Sequence, residues 1–208
     1  MKVTMASQID GSLAPGFLIA SPKLDGSPFE RAVIVMVHHD DQGAMGFIVN
    51  KPLDIDFGSL LESVQEDEYA SRAIADGCFD VFVHFGGPVR VEQLWVIYNH
   101  DGVPFEPDND HGMISFGGTW TLVASSDSIE AFAFGERVNA FLPFIGYTGW
   151  GPGQLEGELE EGSWLCLDFQ DDLVLDQDAD GEDIWAEALG RLGVHPMAFL
   201  MMSKVGEA

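Results

Sequence analysis

Residues 32–49 read AVIVMVHHDDQGAMGFIV, and this run indicates two antiparallel strands joined by a short turn. Its first part, Ala32–Val37, is a continuous and largely β-branched apolar segment, which is typical of a strand buried on both faces. Asp40–Gly43 has the composition of a hairpin loop, and Met45–Val49 returns as the second strand. Pro52 is expected to end that strand. The chain therefore contains at least one strongly buried hairpin near its N-terminal end.

Outside this hairpin, apolar runs predict further strands at residues 16–20, 79–85, 94–98, 120–124, 141–147, 164–168 and 173–175. Helices are predicted at residues 59–64, continuing through 71–75, and at residues 127–134 and 154–160. A last helix is predicted where one apolar stripe is formed by Ile184, Trp185, Ala188, Leu189 and Leu192. Gly193 is expected to cap that last helix in the left-handed conformation, and Pro196 prevents its continuation. Residues 99–112 are predicted to form a loop. Because strands outnumber helices and do not alternate strictly with them, the pattern predicts an α+β fold.

The length and charge of the chain limit what it can be. With 208 residues and no Pro-, Gly- or Ser-rich linker, residues 1–208 are expected to form one domain, of which residues 1–14 are a loosely packed N-terminal segment. Nine lysines and arginines stand against 35 aspartates and glutamates, giving a net charge of −26. Such a surface repels nucleic acids and anionic lipids, so the composition predicts no nucleic-acid partner and no membrane contact. Solubility in a salty cytoplasm is the favoured explanation of the acidity, and a dedicated cationic partner is the alternative.

The sequence also indicates the compartment. Met1–Ala14 lacks the charged start and apolar core of a signal peptide, and the apolar runs are far shorter than the roughly 20 residues of a membrane-spanning helix. Cys78 and Cys166 form no CxxC motif, which argues against a zinc knuckle or a dithiol redox pair. We expect a cytoplasmic protein with reduced thiols and no cofactor.

The glycine-rich segment Gly149–Gly153, between a predicted strand and a predicted helix, is the main candidate for a ligand site. Backbone N–H groups at such a position favour anions, and glycines permit close approach. The spacing matches neither a dinucleotide-binding motif nor a Walker loop. The other interpretation is that Tyr147 and Trp150 are core residues and the glycines relieve a tight turn. Gly86-Gly87-Pro88 is open to the same two interpretations. The candidate ligand or interaction cleft comprises Arg31, Asn50, Gly86, Gly87, Pro88, Tyr147, Gly149, Trp150, Gly151, Gly153 and Gln154.

Two acidic motifs resemble metal sites. Asp176, Asp178 and Asp180 precede Gly181, and Glu187 stands in the twelfth place, as in an EF-hand calcium loop. Its eighth place is Asp183 where an apolar residue is usual, and acidic residues before a helix are also explained by capping. His38-His39-Asp40-Asp41 alternates across a strand end, so neighbouring side chains point apart and are expected to be solvated hairpin residues. We therefore predict no metal ion beyond the calcium alternative.

Four segments, in order, resemble the AlgH/YqgE family of bacterial proteins, which are often labelled transcriptional regulators. They are Phe17–Ala20 with Phe29–Arg31, the run His39–Leu53, Phe85–Val89, and Gly146–Glu156. The resemblance implies a single α+β domain whose mixed, mostly antiparallel sheet curls into a partial barrel with peripheral helices. It brings no mechanism, and the regulator label rests on the family name alone.

Three functions remain open. The leading hypothesis is a non-catalytic protein that acts through contacts with unknown protein partners, in a regulatory role, since no catalytic constellation is present. The apolar tail, Pro196–Met202, would bind a partner or a second copy in a weak homo-oligomer, or else would dock on its own core. The alternative is a protein or enzyme that binds an anion or nucleotide with its glycine loops. Direct DNA binding is disfavoured, because the chain has no basic helix.

Overall fold

The computed structural model describes residues 11–64, 81–100, 114–124, 138–175 and 181–205. The predicted helices at 71–75 and 127–134, Cys78, Asp176, Asp178, Asp180 and most of the predicted loop at 99–112 lie outside these ranges. The chain divides into two compact units, one formed by residues 1–51 with 148–208 and the other by residues 52–147. Each unit is built around its own part of a β-sheet.

The described residues contain ten strands and five α-helices. The strands β1 to β10 are Gly16–Ala20, Val33–Asp40, Gly43–Ile48, Pro52–Asp56, Phe82–Phe85, Val89–His100, Ile114–Phe116, Trp120–Ala124, Val138–Trp150 and Trp164–Asp168. The helices α1 to α5 are Phe57–Val64, Gln154–Glu160, Asp171–Leu175, Gly181–Arg191 and Pro196–Val205. A 3-10 turn occupies Pro22–Leu24.

In the first unit, the strands pair antiparallel in the order β10, β1, β2, β3 and the last residues of β9. All five residues of β1 and the first five of β2 are buried, as their unbroken apolar composition requires. The predicted hairpin at residues 32–49 is confirmed, with Val35 opposite Phe47. The register shifts between Met36 and His38, and β2 continues to Asp40.

The helices of the first unit cover this sheet. Helix α4 packs on β1 and β2 through the buried residues Ile184, Trp185, Ala188 and Leu189, which confirms four members of the predicted stripe. The fifth, Leu192, follows the end of the helix and is half-buried. Gly193 follows it with φ 74°, the predicted left-handed cap. The predicted strand at 173–175 is wrong, because these residues form α3. Its first turn carries Asp171 and Asp172, which favour a helix N-terminus electrostatically.

In the second unit, β9 pairs with β6 antiparallel and with β5 parallel; β4 adds to β5, while β8 and β7 extend from β6. An apolar core lies between this sheet and α1. Its buried members are Phe57, Val83, Val96, Tyr98, Val123 and Phe141. The sequence missed β4 and β7, which are short. It also placed Asn99 in a loop, whereas β6 continues to His100.

These elements confirm an α+β fold with a mixed and mostly antiparallel sheet and peripheral helices. Only the pair of β5 and β9 is parallel among the described strands. The description of residues 1–208 as one domain stays a prediction.

Candidate functional site

The glycine-rich segment is shorter than its sequence suggests. Gly149 and Trp150 are strand residues, because β9 continues to Trp150 and pairs Gly149 with Met45 and Trp150 with Ala44 of β3. The predicted loop from Gly149 is therefore wrong at its start. What remains between strand and helix is the turn at residues 151–153, which is exposed to solvent.

The side chain of Gln154 closes this turn. Its Oε1 atom accepts a hydrogen bond from the Gly151 N–H at 3.1 Å, and its Nε2 atom donates to Glu158 at 2.9 Å. Gly153 has φ 72° and provides no side-chain cap for α2. The backbone amide that an anion would need at Gly151 thus already has an acceptor within the chain.

Glu158 binds two buried tryptophans at once. Its Oε2 atom accepts hydrogen bonds from the indole N–H groups of Trp150 at 2.9 Å and Trp164 at 2.8 Å. The two rings meet edge to face, with centroids 6.0 Å apart. This arrangement ties α2 to the ends of β9 and β10. The sequence indicated Trp150 as a core anchor but gave no sign of its acceptor, which lies on a different element.

The side chain of His39 is only 7% exposed, contrary to the expectation of a solvated hairpin residue. Because β2 extends through it, the ring lies beside the N-terminal segment and α2. Nδ1 accepts a hydrogen bond from the Leu13 N–H at 2.9 Å, so the ring proton is on Nε2, which donates to Glu156 at 3.0 Å. The backbone N–H of Glu156 and this imidazole both lower the pKa of the Glu156 carboxyl.

The two neighbours of His39 in the chain differ from it. His38 and Asp40 lie on the surface with their side chains 50% and 45% exposed, and 3.1 Å separates Nε2 from Oδ2. They are solvated, as the sequence predicts. Residues 12–14 are held to β2, since Ser12 Oγ donates to the His39 carbonyl at 3.0 Å. Residues 1–10 lie outside the described ranges, and the loose packing of residues 1–14 stays a prediction.

Asn50 and Arg31 have partners inside the first unit. The Asn50 amide accepts from the Val33 N–H and donates to the carbonyls of Arg31 and Gly181, each at 2.8 Å. It joins the start of β2 to the start of α4, which is a structural role. Arg31 forms an ion pair with Glu182 and lies 6.0 Å from the centre of the Trp185 ring.

The other predicted glycine turn, Gly86-Gly87-Pro88, belongs to the second unit. Gly86 N–H donates to the Ile145 carbonyl at 3.0 Å. Gly146 has φ 70°, and a side chain there would collide with the Gly87 carbonyl oxygen, so the two chain segments cross at a point that only glycine fits. Tyr147 packs edge to face on Trp95 at 5.5 Å. That the two glycine turns line one cleft stays a prediction.

Beside this turn, β6 bulges. Val89 lies opposite Tyr147 and Leu94 opposite Ile145, so residues 90–93 face a single residue of β9. Arg90 in the bulge has φ 49°, and Val91 is 51% exposed.

A buried histidine also belongs to the second unit. His84 is 4% exposed and packs on Phe144, with ring centroids 5.7 Å apart. Burial lowers the pKa of His84 to about 4, against a smaller opposing effect of the Phe82 backbone. His84 is therefore neutral at physiological pH.

The remaining predicted sites are only partly described. Of the calcium motif, Glu187 lies in the described residues and forms an ion pair with Arg191. Among the described residues, no three His, Cys, Asp or Glu side chains are grouped so as to hold a metal ion. The calcium alternative stays a prediction.

Helix α5 has one surface that the rest of the described chain leaves uncovered. Met197 and Met201 are 56% and 62% exposed, and Ala198 beside them is also exposed. Residues three or four positions apart lie on one side of a helix, so the two methionines share a side. We call Met197, Ala198 and Met201 the methionine face of α5.

Comparison with known proteins places the chain in a family. The AlgH-like family model matches residues 17–197. This chain belongs to the AlgH-like family. A UPF0301 protein from Anaeromyxobacter sp. (strain Fw109-5) is 36% identical to it, covering 95% of this chain and 96% of the relative. A UPF0301 protein from Shewanella sp. (strain W3-18-1) is 40% identical, covering 88% and 92%.

Solved structures share the fold of this AlgH-like chain. The solution structure of the AlgH protein from Pseudomonas aeruginosa is similar, with a TM-score of 0.68, 27% identity and 94% of each chain covered. A crystal structure of protein DIP2367 from Corynebacterium diphtheriae shares the fold, with a TM-score of 0.65, 20% identity and 96% of each chain covered. The resemblance stated from the sequence is confirmed.

Within the described part of this AlgH-like chain, no helix is both long and apolar enough to cross a membrane.

Proposed function

We propose that this AlgH-like chain is a non-catalytic cytoplasmic protein that acts by binding other proteins, in a regulatory role. The observation that carries the proposal is the methionine face of α5. Methionine is flexible and polarizable, and it is enriched at surfaces that accept varied partners. Contiguous exposed apolar surface is one of the features by which protein–protein interaction sites are recognised.

Several groups that could perform catalysis are instead used to hold the chain together. Both ring nitrogens of His39 and both carboxylate oxygens of Glu158 have hydrogen-bond partners. Burial raises the pKa of the Cys166 thiol to about 11, which leaves little of the nucleophilic thiolate at neutral pH. A general base or nucleophile needs a free lone pair facing substrate. These observations support a binding role over a catalytic one.

The charges of the described residues argue against a nucleic-acid partner. Each of the five lysines and arginines whose side chains the structure describes donates a hydrogen bond within the chain. They are Lys23, Arg31, Lys51, Arg90 and Arg191. Displacing counterions from a phosphate backbone would require freeing several of them against a net charge of −26.

The alternative is an anion or nucleotide bound at the turn of residues 151–153. One observation favours it: a side chain added at Gly151 would meet only the Gln154 Oε1 atom, at 4.0 Å, so the turn is open. A ligand would have to displace Gln154 from the Gly151 amide. A thermal-shift screen of phosphate-bearing metabolites tests this; a hit that is lost in Gly151→Leu would replace our proposal with this one.

Affinity capture with matched variants tests the proposal. Met197→Gln/Met201→Gln replaces the methionine face by polar side chains of similar length and helix propensity. Val91→Gln makes the same kind of change at an equally exposed apolar residue elsewhere. We expect one stoichiometric partner to be recovered by the wild type and by Val91→Gln, and to be depleted with the double variant. Recovery of no specific partner by the wild type would contradict the proposal.

A further inference from the structure

The methionine face has an orientation fixed by the packing of α5. The helix contacts α4 and the 3-10 turn at Pro22–Leu24, while Phe199 and Leu200 are half-buried. The helix thus packs one side, with Phe199 and Leu200, against its own unit, and Met197 and Met201 lie on the side that faces solvent. The tail neither docks all its apolar surface on its own core nor exposes all of it.

The elements next to α5 expose mostly negative charge. Helix α4 exposes Glu182, Asp183 and Glu187, of which Glu182 is paired with Arg31 and Glu187 with Arg191, the basic residue of α4, which Asp172 also binds. Asp25, directly after the 3-10 turn, is exposed as well.

The one lysine of that turn, Lys23, offsets the charge of only one of these carboxylates. Lys23 donates to the Glu161 carbonyl. The methionine face therefore lies among elements whose exposed carboxylates outnumber their cations, on a chain of net charge −26.

This negative charge disfavours two possible binding partners of the methionine face, namely a second copy of the chain and an anionic membrane. A second copy would bring another −26 and the same carboxylates to the contact, and like charges brought together oppose association. An anionic membrane surface would be repelled for the same reason. The occupant should be apolar at its centre and positive around it.

We infer that the methionine face of α5 binds a cationic amphipathic helix of a partner protein, an inference that rests on the proposed function. Four residues of α-helix rise about 6 Å, so Met197 and Met201 make a short ridge along α5. An apolar stripe at i, i+3, i+4 and i+7 packs against such a ridge, as helices do at axial distances of about 8–10 Å. Lysines and arginines flanking the stripe complement the net negative charge of the elements that contact α5.

A synthetic peptide of about 16 leucines and lysines, with leucines on one helical face, serves as the probe. Two control peptides separate the causes of binding: one of the same composition with the leucines scattered, and one with glutamate in place of lysine. Binding of labelled peptide to the full chain is followed by fluorescence anisotropy. We expect Met197→Gln/Met201→Gln to weaken binding at least about tenfold and Val91→Gln to change it less than about twofold.

The inference is overturned if the double variant binds the amphipathic peptide as well as the wild type does, or if the scattered or glutamate peptide binds equally tightly. Sedimentation that shows a wild-type dimer lost in the double variant would assign the face to a second copy instead. Binding to vesicles of anionic lipid that is lost in the double variant would assign it to membranes. If the double variant does not fold, Met201→Gln alone is used, with an expected weakening of at least about threefold.

Failure here is distinguishable from failure of the proposed function. If capture recovers a specific partner regardless of the methionine face, the protein-binding function stands and the cationic-helix inference falls. If capture recovers no partner at all, the function falls as well.

Discussion

Glu158 accepts a hydrogen bond from the indole N–H of Trp150 at 2.9 Å, eight residues back along the chain and across the glycine turn. The same carboxylate oxygen accepts from Trp164 at 2.8 Å. One acidic side chain thus satisfies two buried donors, and removing it would leave both indoles without that acceptor. Buried donors that lose their partner cost stability, typically 1–3 kcal/mol each.

We expect Glu158→Ala to lower the free energy of unfolding by about 3 kcal/mol, because both indole N–H groups are desolvated by burial. Urea denaturation followed by tryptophan fluorescence measures this directly. Glu160→Ala, on the exposed side of the same helix, is the control and should change stability by less than about 0.5 kcal/mol. Equal effects of the two substitutions would show that the tryptophan contacts contribute nothing.

The tautomer of His39 makes a separate prediction. In His39→Asn, the amide oxygen takes the place of Nδ1 and can still accept from the Leu13 N–H, whereas in His39→Gln the polar atoms reach the position of Nε2 instead. We expect slow hydrogen exchange at the Leu13 amide in the wild type and in His39→Asn, and fast exchange in His39→Gln. Protection that is identical in both variants would mean that Nδ1 does not hold the N-terminal segment.

His84 predicts how stability depends on pH. Its pKa is about 4 in the folded chain and 6.5 in the unfolded chain, so between these values only the unfolded chain takes up a proton at this site. The contribution of His84 to stability is therefore full above pH 6.5 and falls as the pH drops toward 4, by about 3 kcal/mol in total.

The comparison with His84→Phe isolates this effect, because titration of the many carboxylates is common to both proteins. The free energy of unfolding of the wild type, minus that of the variant, should decrease steadily from pH 7 to pH 4 in urea titrations. A difference that does not change with pH would contradict the burial of a neutral histidine.

The net charge of −26 predicts a dependence on salt. Repulsion among carboxylates is screened within about 10 Å at 0.1 M salt and about 3 Å at 1 M, so the compact state gains more than the expanded one as salt is added. We expect the urea midpoint of unfolding to rise between 0.05 and 2 M KCl. KCl is the salt of choice because sulfate would also stabilise the folded state by its exclusion from the protein surface. A midpoint that stays constant or falls would show that self-repulsion is not a significant cost in this fold.

The sequence predicted the elements whose pattern is strong and local. The hairpin at 32–49, helix α2 and strand β10 follow from uninterrupted apolar runs or clear helical spacing, and the family followed from four short motifs. Residues 173–175 were misassigned because three apolar residues fit a strand or a helix equally well, and the deciding feature is the aspartate pair before them.

The candidate site was less predictable, for a physical reason. The hydrogen-bond partners of His39 are 26 and 117 residues away along the chain. Those of Asn50 are 17, 19 and 131 residues away, and Glu158 is eight residues from Trp150. Such pairings depend on the tertiary fold. The tail at 196–202 was recognised as apolar from composition. Which of its side chains face solvent depends on how α5 packs against α4.

Photo-crosslinking in cells tests the central claim most directly. A photoreactive residue placed at Met201 should yield one discrete adduct with another protein, whereas the same residue at the exposed Glu160 should yield none. An adduct pattern at Met201 no different from that at Glu160 would contradict the account, because it would mean that the methionine face of α5 meets no partner.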